Sequence, residues 1–166
     1  MRQMLKNRLK DQKGFTLIEL LAVIVILGII AAIAIPSILG LIQNSKDDAQ
    51  VANAQQMVSA ARNAVAQNDV TWTGTGNNTA TIALKAGLID TGYIEDIKNP
   101  DNKKAYDLVN SKVVVTKTTV GNTIKYNYTV TLQSADSTPE IYIDARDSND
   151  LKRDIVGVDN TTNNSN

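Results

Sequence analysis

Between Phe15 and Ile42 only Thr16, Glu19 and Ser37 are polar. A run with no polar face predicts a helix with no watery side. At about 1.5 Å per residue, Leu20–Ile42 reaches roughly 35 Å, enough for a bilayer core. From Gln43 the pattern changes. Val51, Ala54, Val58, Ala61 and Val65 recur at spacings of three and four, while Gln50, Asn53, Gln56, Arg62 and Asn63 lie off that stripe. This predicts an amphipathic continuation with only small residues on its apolar side. No Gly or Pro interrupts Leu41–Asp69. The two patterns therefore join into one helix from about Phe15 to about Asn68, ended by NDVTWTGTGNNTAT.

The remainder is rich in Thr, Asn, Asp and β-branched residues. TIALKAGLIDTGYI predicts a short helix with Leu84, Leu88 and Ile89 on one side, and KNPDNKKAY a turn. KVVVTKTT predicts a strand. TIKYNYTVTL predicts a clearer one, with Ile124, Tyr126, Tyr128, Val130 and Leu132 on one face. VGN suits the hairpin turn between them, PEIYIDA gives a third strand, and DNTTNNSN is a polar tail. The large apolar face of such a sheet needs a cover, and the small-residue helix stripe is the available one. The expected fold is α+β: a long N-terminal helix packed on a small antiparallel sheet of three or four strands. Trp72, in a polar loop, reads as a packing plug.

Charge adds an orientation. Lys+Arg and Asp+Glu are both 17, but Arg2, Lys6, Arg8, Lys10 and Lys13 precede Gly14 with only Asp11 opposing them. A basic flank before an apolar helix places the N-terminus in the cytoplasm. Beyond Gly14 there are 12 basic and 16 acidic residues, a net of −4, so no specific nucleic acid is expected as a partner. The chain has no cysteine and no histidine. Disulfides, thiol chemistry and histidine-based catalysis are excluded, and no enzyme is expected.

Glu19 is costly inside an apolar helix, by up to roughly 3 kcal/mol at a bilayer centre and less near its edge. The stretch KGFTLIELLAVIVILGIIAAIAIPSI resembles the N-terminus of type IV pilin precursors: a short basic leader ending in Gly14, then Phe15-Thr-Leu-Ile-Glu19, then an apolar helix with Pro36 about two-thirds along. The resemblance implies cleavage by a prepilin peptidase between Gly14 and Phe15, and N-methylation of Phe15. It implies that Glu19 neutralises the charged N-terminus of a neighbouring subunit in a filament core. Such a pair in a low-dielectric core is favoured over either charge alone. Glu19→Ala is then expected to be inserted and cut but not assembled. Pro36 and Gly40 mark a place where the helix kinks or melts.

The expected organisation is a leader at 1–14, a transmembrane and filament-core helix at 15–42, its amphipathic continuation at 43–69 and a globular head at 70–166. Implied partners are further copies of the chain, prepilin peptidase, the pilus assembly platform and motor, and the cytoplasmic membrane, which the chain crosses once before joining an extracellular pilus. The alternative is a pseudopilin of a type II secretion or competence system. A further alternative is a bitopic membrane protein with an external binding domain that keeps its leader. The absence of cysteine fits pilins of Gram-positive bacteria or pseudopilins better than disulfide-closed pilins. No cofactor is expected. Asp144, Asp147, Asp150 and Asp154 could supply calcium oxygens, but the interleaved Arg146, Lys152 and Arg153 favour a solvated loop.

Overall fold

A computed structural model describes residues 16–76, 78–101 and 104–158. The leader, the Gly14–Phe15 junction and the polar tail from Asp159 lie outside the described residues. Two compact units divide the chain, Met1–Ile42 and Gln43–Asn166.

Helix α1, Leu17–Ala66, supplies the described secondary structure of the first unit and opens the second. Its bounds fall within two residues of the pattern's prediction. In the first unit it runs through Pro36 and Gly40 without a break.

In the second unit four antiparallel strands follow in chain order: β1 (Thr79–Ala83), β2 (Lys112–Val120), β3 (Thr123–Gln133) and β4 (Ile141–Asp147). Neighbours in sequence are neighbours in the sheet. Val120 pairs with Thr123 across Gly121-Asn122, and Gly121 has φ 63°. A two-residue hairpin needs a left-handed residue here, which is why glycine is present. Ala145 takes φ 43° where the β3–β4 register shifts, between Leu132↔Ile143 and Val130↔Arg146; this is a bulge.

Two elements depart from the sequence expectation. The first part of TIALKAGLI is a strand that the pattern did not name, and the expected short helical segment follows it as a π-helical turn, Leu84–Ile89. Leu84 and Leu88 are fully buried, and the turn is tied down by Leu84 N–H to Ser111 O and Lys85 N–H to Leu108 O. A Cβ on Gly87 would lie 2.6 Å from Ile82 Cγ2. The turn folds so tightly onto β1 that a side chain has no room there.

The helix stripe is also richer than expected. Gln50, Val51, Ala54, Met57, Val58, Ala60, Ala61 and Ala64 are buried, and Val65 half-buried. Met57 adds bulk to an otherwise small-residue face. Gln50 belongs inside rather than off the stripe. These side chains join Val113, Val115, Tyr128, Val130, Leu132, Tyr142 and Ile143 in one core.

Candidate functional site

Thr16 immediately precedes α1 and caps it. Glu19 Oε2 accepts from the Thr16 backbone N–H at 2.7 Å and from its hydroxyl at 2.9 Å, while the Glu19 N–H reaches Thr16 Oγ1 at 3.3 Å. This is a capping box, Thr-x-x-Glu, in which two helix-end donors are satisfied reciprocally. The spacing was readable in the sequence, and it gives Glu19 a local partner besides any distant one. Gly14 and Phe15 lie outside the described residues.

Beyond Glu19, seventeen large apolar side chains between Leu17 and Ile42 are exposed, from 48% at Val23 to 88% at Leu17. Within the first unit, space for a methyl group is open at Gly28 and Gly40. By length and composition α1 can cross a membrane. At about 1.5–3 kcal/mol for each such side chain buried, covering this surface is worth tens of kcal/mol.

In the second unit a buried polar network replaces what a purely apolar interior would have supplied. Tyr106 OH donates to Gln50 Oε1 at 2.5 Å and accepts from Asn53 Nδ2 at 2.7 Å. Gln50 Nε2 donates to Asn99 Oδ1, and Asn99 Nδ2 to the Tyr142 hydroxyl, each at 3.0 Å. Burial pushes the Tyr106 phenol up to about 12. The network fastens the loop around Asn99 to both α1 and β4. Nearby, Arg153 Nε donates to Asp48 Oδ1 at 2.7 Å and Arg153 Nη2 to Asp48 Oδ2. This fork holds the Asp48 carboxyl below its usual range. It ties the chain after β4 to the helix 105 positions away.

The four aspartates weighed for calcium are spread out. Asp144 lies within β4 and Asp147 at its end, where it accepts from Asn149 N–H at 2.9 Å and Asn149 Nδ2 at 2.8 Å. Asp150 follows in the turn, and Asp154 sits in the 3-10 turn Arg153–Ile155. Among the described residues no three His, Cys, Asp or Glu side chains form a group able to hold a metal ion. Trp72 does pack against the core: its ring lies 5.9 Å from that of Tyr126, with Lys117 Nζ 4.7 Å from its centroid.

Residues 9–35 match the family model of the prokaryotic N-terminal methylation motif. A fimbrial protein of Neisseria meningitidis serogroup B is 33% identical over 105 residues, covering 61% of this chain and 58% of that protein. A type IV major pilin protein of Neisseria gonorrhoeae is 38% identical over 89 residues, 52% of this chain and 39% of its own length. A fimbrial protein of Pseudomonas aeruginosa is 50% identical over 56 residues, 34% of each. The chain thus spans between a third and three-fifths of these relatives' length. No solved structure matches it. In its N-terminal motif and in part of its length the chain is similar to fimbrial and type IV major pilin proteins, and it combines that motif with a helix-on-sheet fold.

Proposed function

We propose that this chain is a structural subunit of a type IV pilus. It is held first in the cytoplasmic membrane by α1, with the basic leader inside. Prepilin peptidase cuts it between Gly14 and Phe15, Phe15 is N-methylated, and the assembly platform and motor add the subunit to a surface filament. The carrying observation is the methylation motif at residues 9–35, which runs into a helix whose large apolar side chains between Leu17 and Ile42 are exposed. Lipid covers that surface before assembly, and neighbouring helices cover it afterwards.

Cleavage creates a positive charge on Phe15, four positions before Glu19. In a packed apolar core an unpaired carboxylate and an unpaired ammonium are each strongly disfavoured, so a stagger that pairs them across subunits is selected. Pro36 removes one backbone hydrogen bond and Gly40 lowers helix propensity, so the stretch around them is where α1 yields as subunits pack. The matched relatives are named as fimbrial and major pilin proteins, which favours a surface filament over a secretion pseudopilus. Mass spectrometry of the mature N-terminus is the test. Methylated Phe15 on subunits sheared from the cell is expected. An intact Met1–Gly14 leader on the mature protein would defeat the proposal.

A further inference from the structure

The Gln43–Asn166 unit is electrically lopsided. Residues 70–89 and 108–135 contain no acidic residue and carry Lys85, Lys112, Lys117 and Lys125. The rest of the unit holds 15 acidic and 8 basic residues. The acid-free part includes the whole β2–β3 hairpin.

The free end of that hairpin is also apolar. Ile124 and Tyr126 share the face of β3 that buries Tyr128, Val130 and Leu132, yet they are 51% and 43% exposed. Helix α1 supplies its last buried side chain at Ala64, and Arg62 lies 5.2 Å from the Tyr128 ring centroid. Past that point the Trp72 ring lies against Tyr126, 5.9 Å between centroids. On the opposite face of the hairpin, Val120 at the turn is 57% exposed and Lys125 is exposed, so the tip presents apolar groups on both sides and a lysine on one. An apolar tip bordered by lysines and free of carboxylates fits an acidic protein surface.

Such a surface lies at the other end of the same strand. β3 has eleven residues, so its ends are about 35 Å apart. At the end away from the tip, Asp47, Asp101 and Glu140 line a hollow of about 180 Å³ together with Lys46, which lies 3.8 Å from Asp101. Lys104 joins Glu140 to Asp136, which lies 3.6 Å from its Nζ, so the carboxylates here outnumber the lysines that pair them. Two complementary patches at opposite ends of one body cannot meet within one molecule. They can meet only between copies, head to tail, and such heterologous contacts propagate into open helical arrays.

Building on the filament reading above, we infer that the β2–β3 hairpin tip of one copy docks on the acidic rim of the next. Ile124, Tyr126 and Val120 supply the apolar contact, and Lys125 faces the rim carboxylates around Asp136 and Glu140. The contact sets which head lies above which along the filament, a specification separate from the one made by Glu19.

The absence of cysteine makes the test free of background. Ile124→Cys and Asp136→Cys are introduced into the full chain, expressed with its assembly machinery, and sheared filaments are oxidised. The two positions are too far apart to bridge within one molecule, since a disulfide needs Cα atoms within about 7 Å. A ladder of linked subunits on non-reducing gels is expected from the pair, and monomer from either single variant. In parallel, Lys125→Glu is expected to lower filament yield by about tenfold, with recovery in Lys125→Glu/Asp136→Lys. Filaments from the cysteine pair that stay monomeric on oxidation would overturn the docking while leaving the pilus function standing. If the cysteine pair fails to assemble, the charge exchange decides, and lack of recovery overturns the docking. A wild-type chain that forms no filament removes the pilus function, and the docking with it.

Discussion

Thr16 and Glu19 hold each other at the start of α1: the Glu19 carboxylate takes the Thr16 N–H at 2.7 Å and the Thr16 hydroxyl at 2.9 Å. The carboxylate proposed to meet a neighbour's N-terminus therefore already has a task within its own helix. A capping box works with either Glu or Gln at its third position, whereas pairing with an ammonium requires the charge. Glu19→Gln separates the two. It is expected to leave membrane insertion, cleavage and helix content by circular dichroism unchanged, while cutting sheared filament by about tenfold or more. Normal filaments from this variant would reduce Glu19 to a helix cap.

Tyr106→Phe tests the buried network. Removing the hydroxyl leaves Gln50 Oε1 and Asn53 Nδ2 each without that partner. A buried polar group stripped of its partner costs about 1–3 kcal/mol, so thermal unfolding of the Gln43–Asn166 unit should fall by several degrees. A melting curve superimposable on wild type would show that the network contributes nothing net.

The same tyrosine sets an alkaline limit. Its folded value, about 12, lies above the ordinary 10.0. Between these values the unfolded chain has lost the proton that the folded chain keeps, so stability falls as pH rises from 10 towards 12 and is unaffected below 10. Burial also raises Tyr93 and Tyr128, so absorbance titration should show a late-ionising group of phenols with Tyr106 among them. Tyr106→Phe should remove its part of that late step.

At the acid end, Asp48 is held below its ordinary 3.8 by the Arg153 fork. A carboxyl lowered by folding contributes stability above its unfolded value and loses it as pH falls through its folded value. The segment after β4 should therefore be unaffected between neutral pH and 5, and should loosen only below the ordinary carboxylate range. Hydrogen exchange at Gly157, whose N–H bonds Tyr142 O at 2.9 Å, reports this. Arg153→Ala should give fast exchange there even at neutral pH.

Gly87→Ala places a methyl group 2.6 Å from Ile82 Cγ2. Ile82 is buried, so the π-helical turn or β1 must shift, at about 1–3 kcal/mol for overpacking. A clear drop in melting temperature is expected from Gly87→Ala. Ala at Gly28, where nothing lies within 4 Å of the added Cβ, should leave the unit's melting unchanged.

Local periodicity determined much of this protein. The all-round apolar run, the 3,4-spaced stripe and the alternation in TIKYNYTVTL each name their element, because a helix or strand must turn its apolar side chains to one cover. The leader, Glu19 and Pro36 are likewise matters of order along the chain. The Thr16–Glu19 cap is legible as Thr-x-x-Glu spacing. Other features depend on where separate elements end. β1 is five residues with Ile82 as its one large side chain, and its pairing with Lys112–Thr116 makes it a strand. Gln50 looks like a surface residue until Tyr106 and Asn99 arrive from 56 and 49 positions away. Ile124 and Tyr126 carry the same alternation as Val130 and Leu132, but the helix has its last fully buried side chain at Ala64, so the same pattern is core at one end of β3 and open surface at the other. Periodicity determines which way a side chain faces; only the tertiary structure decides what is there to meet it.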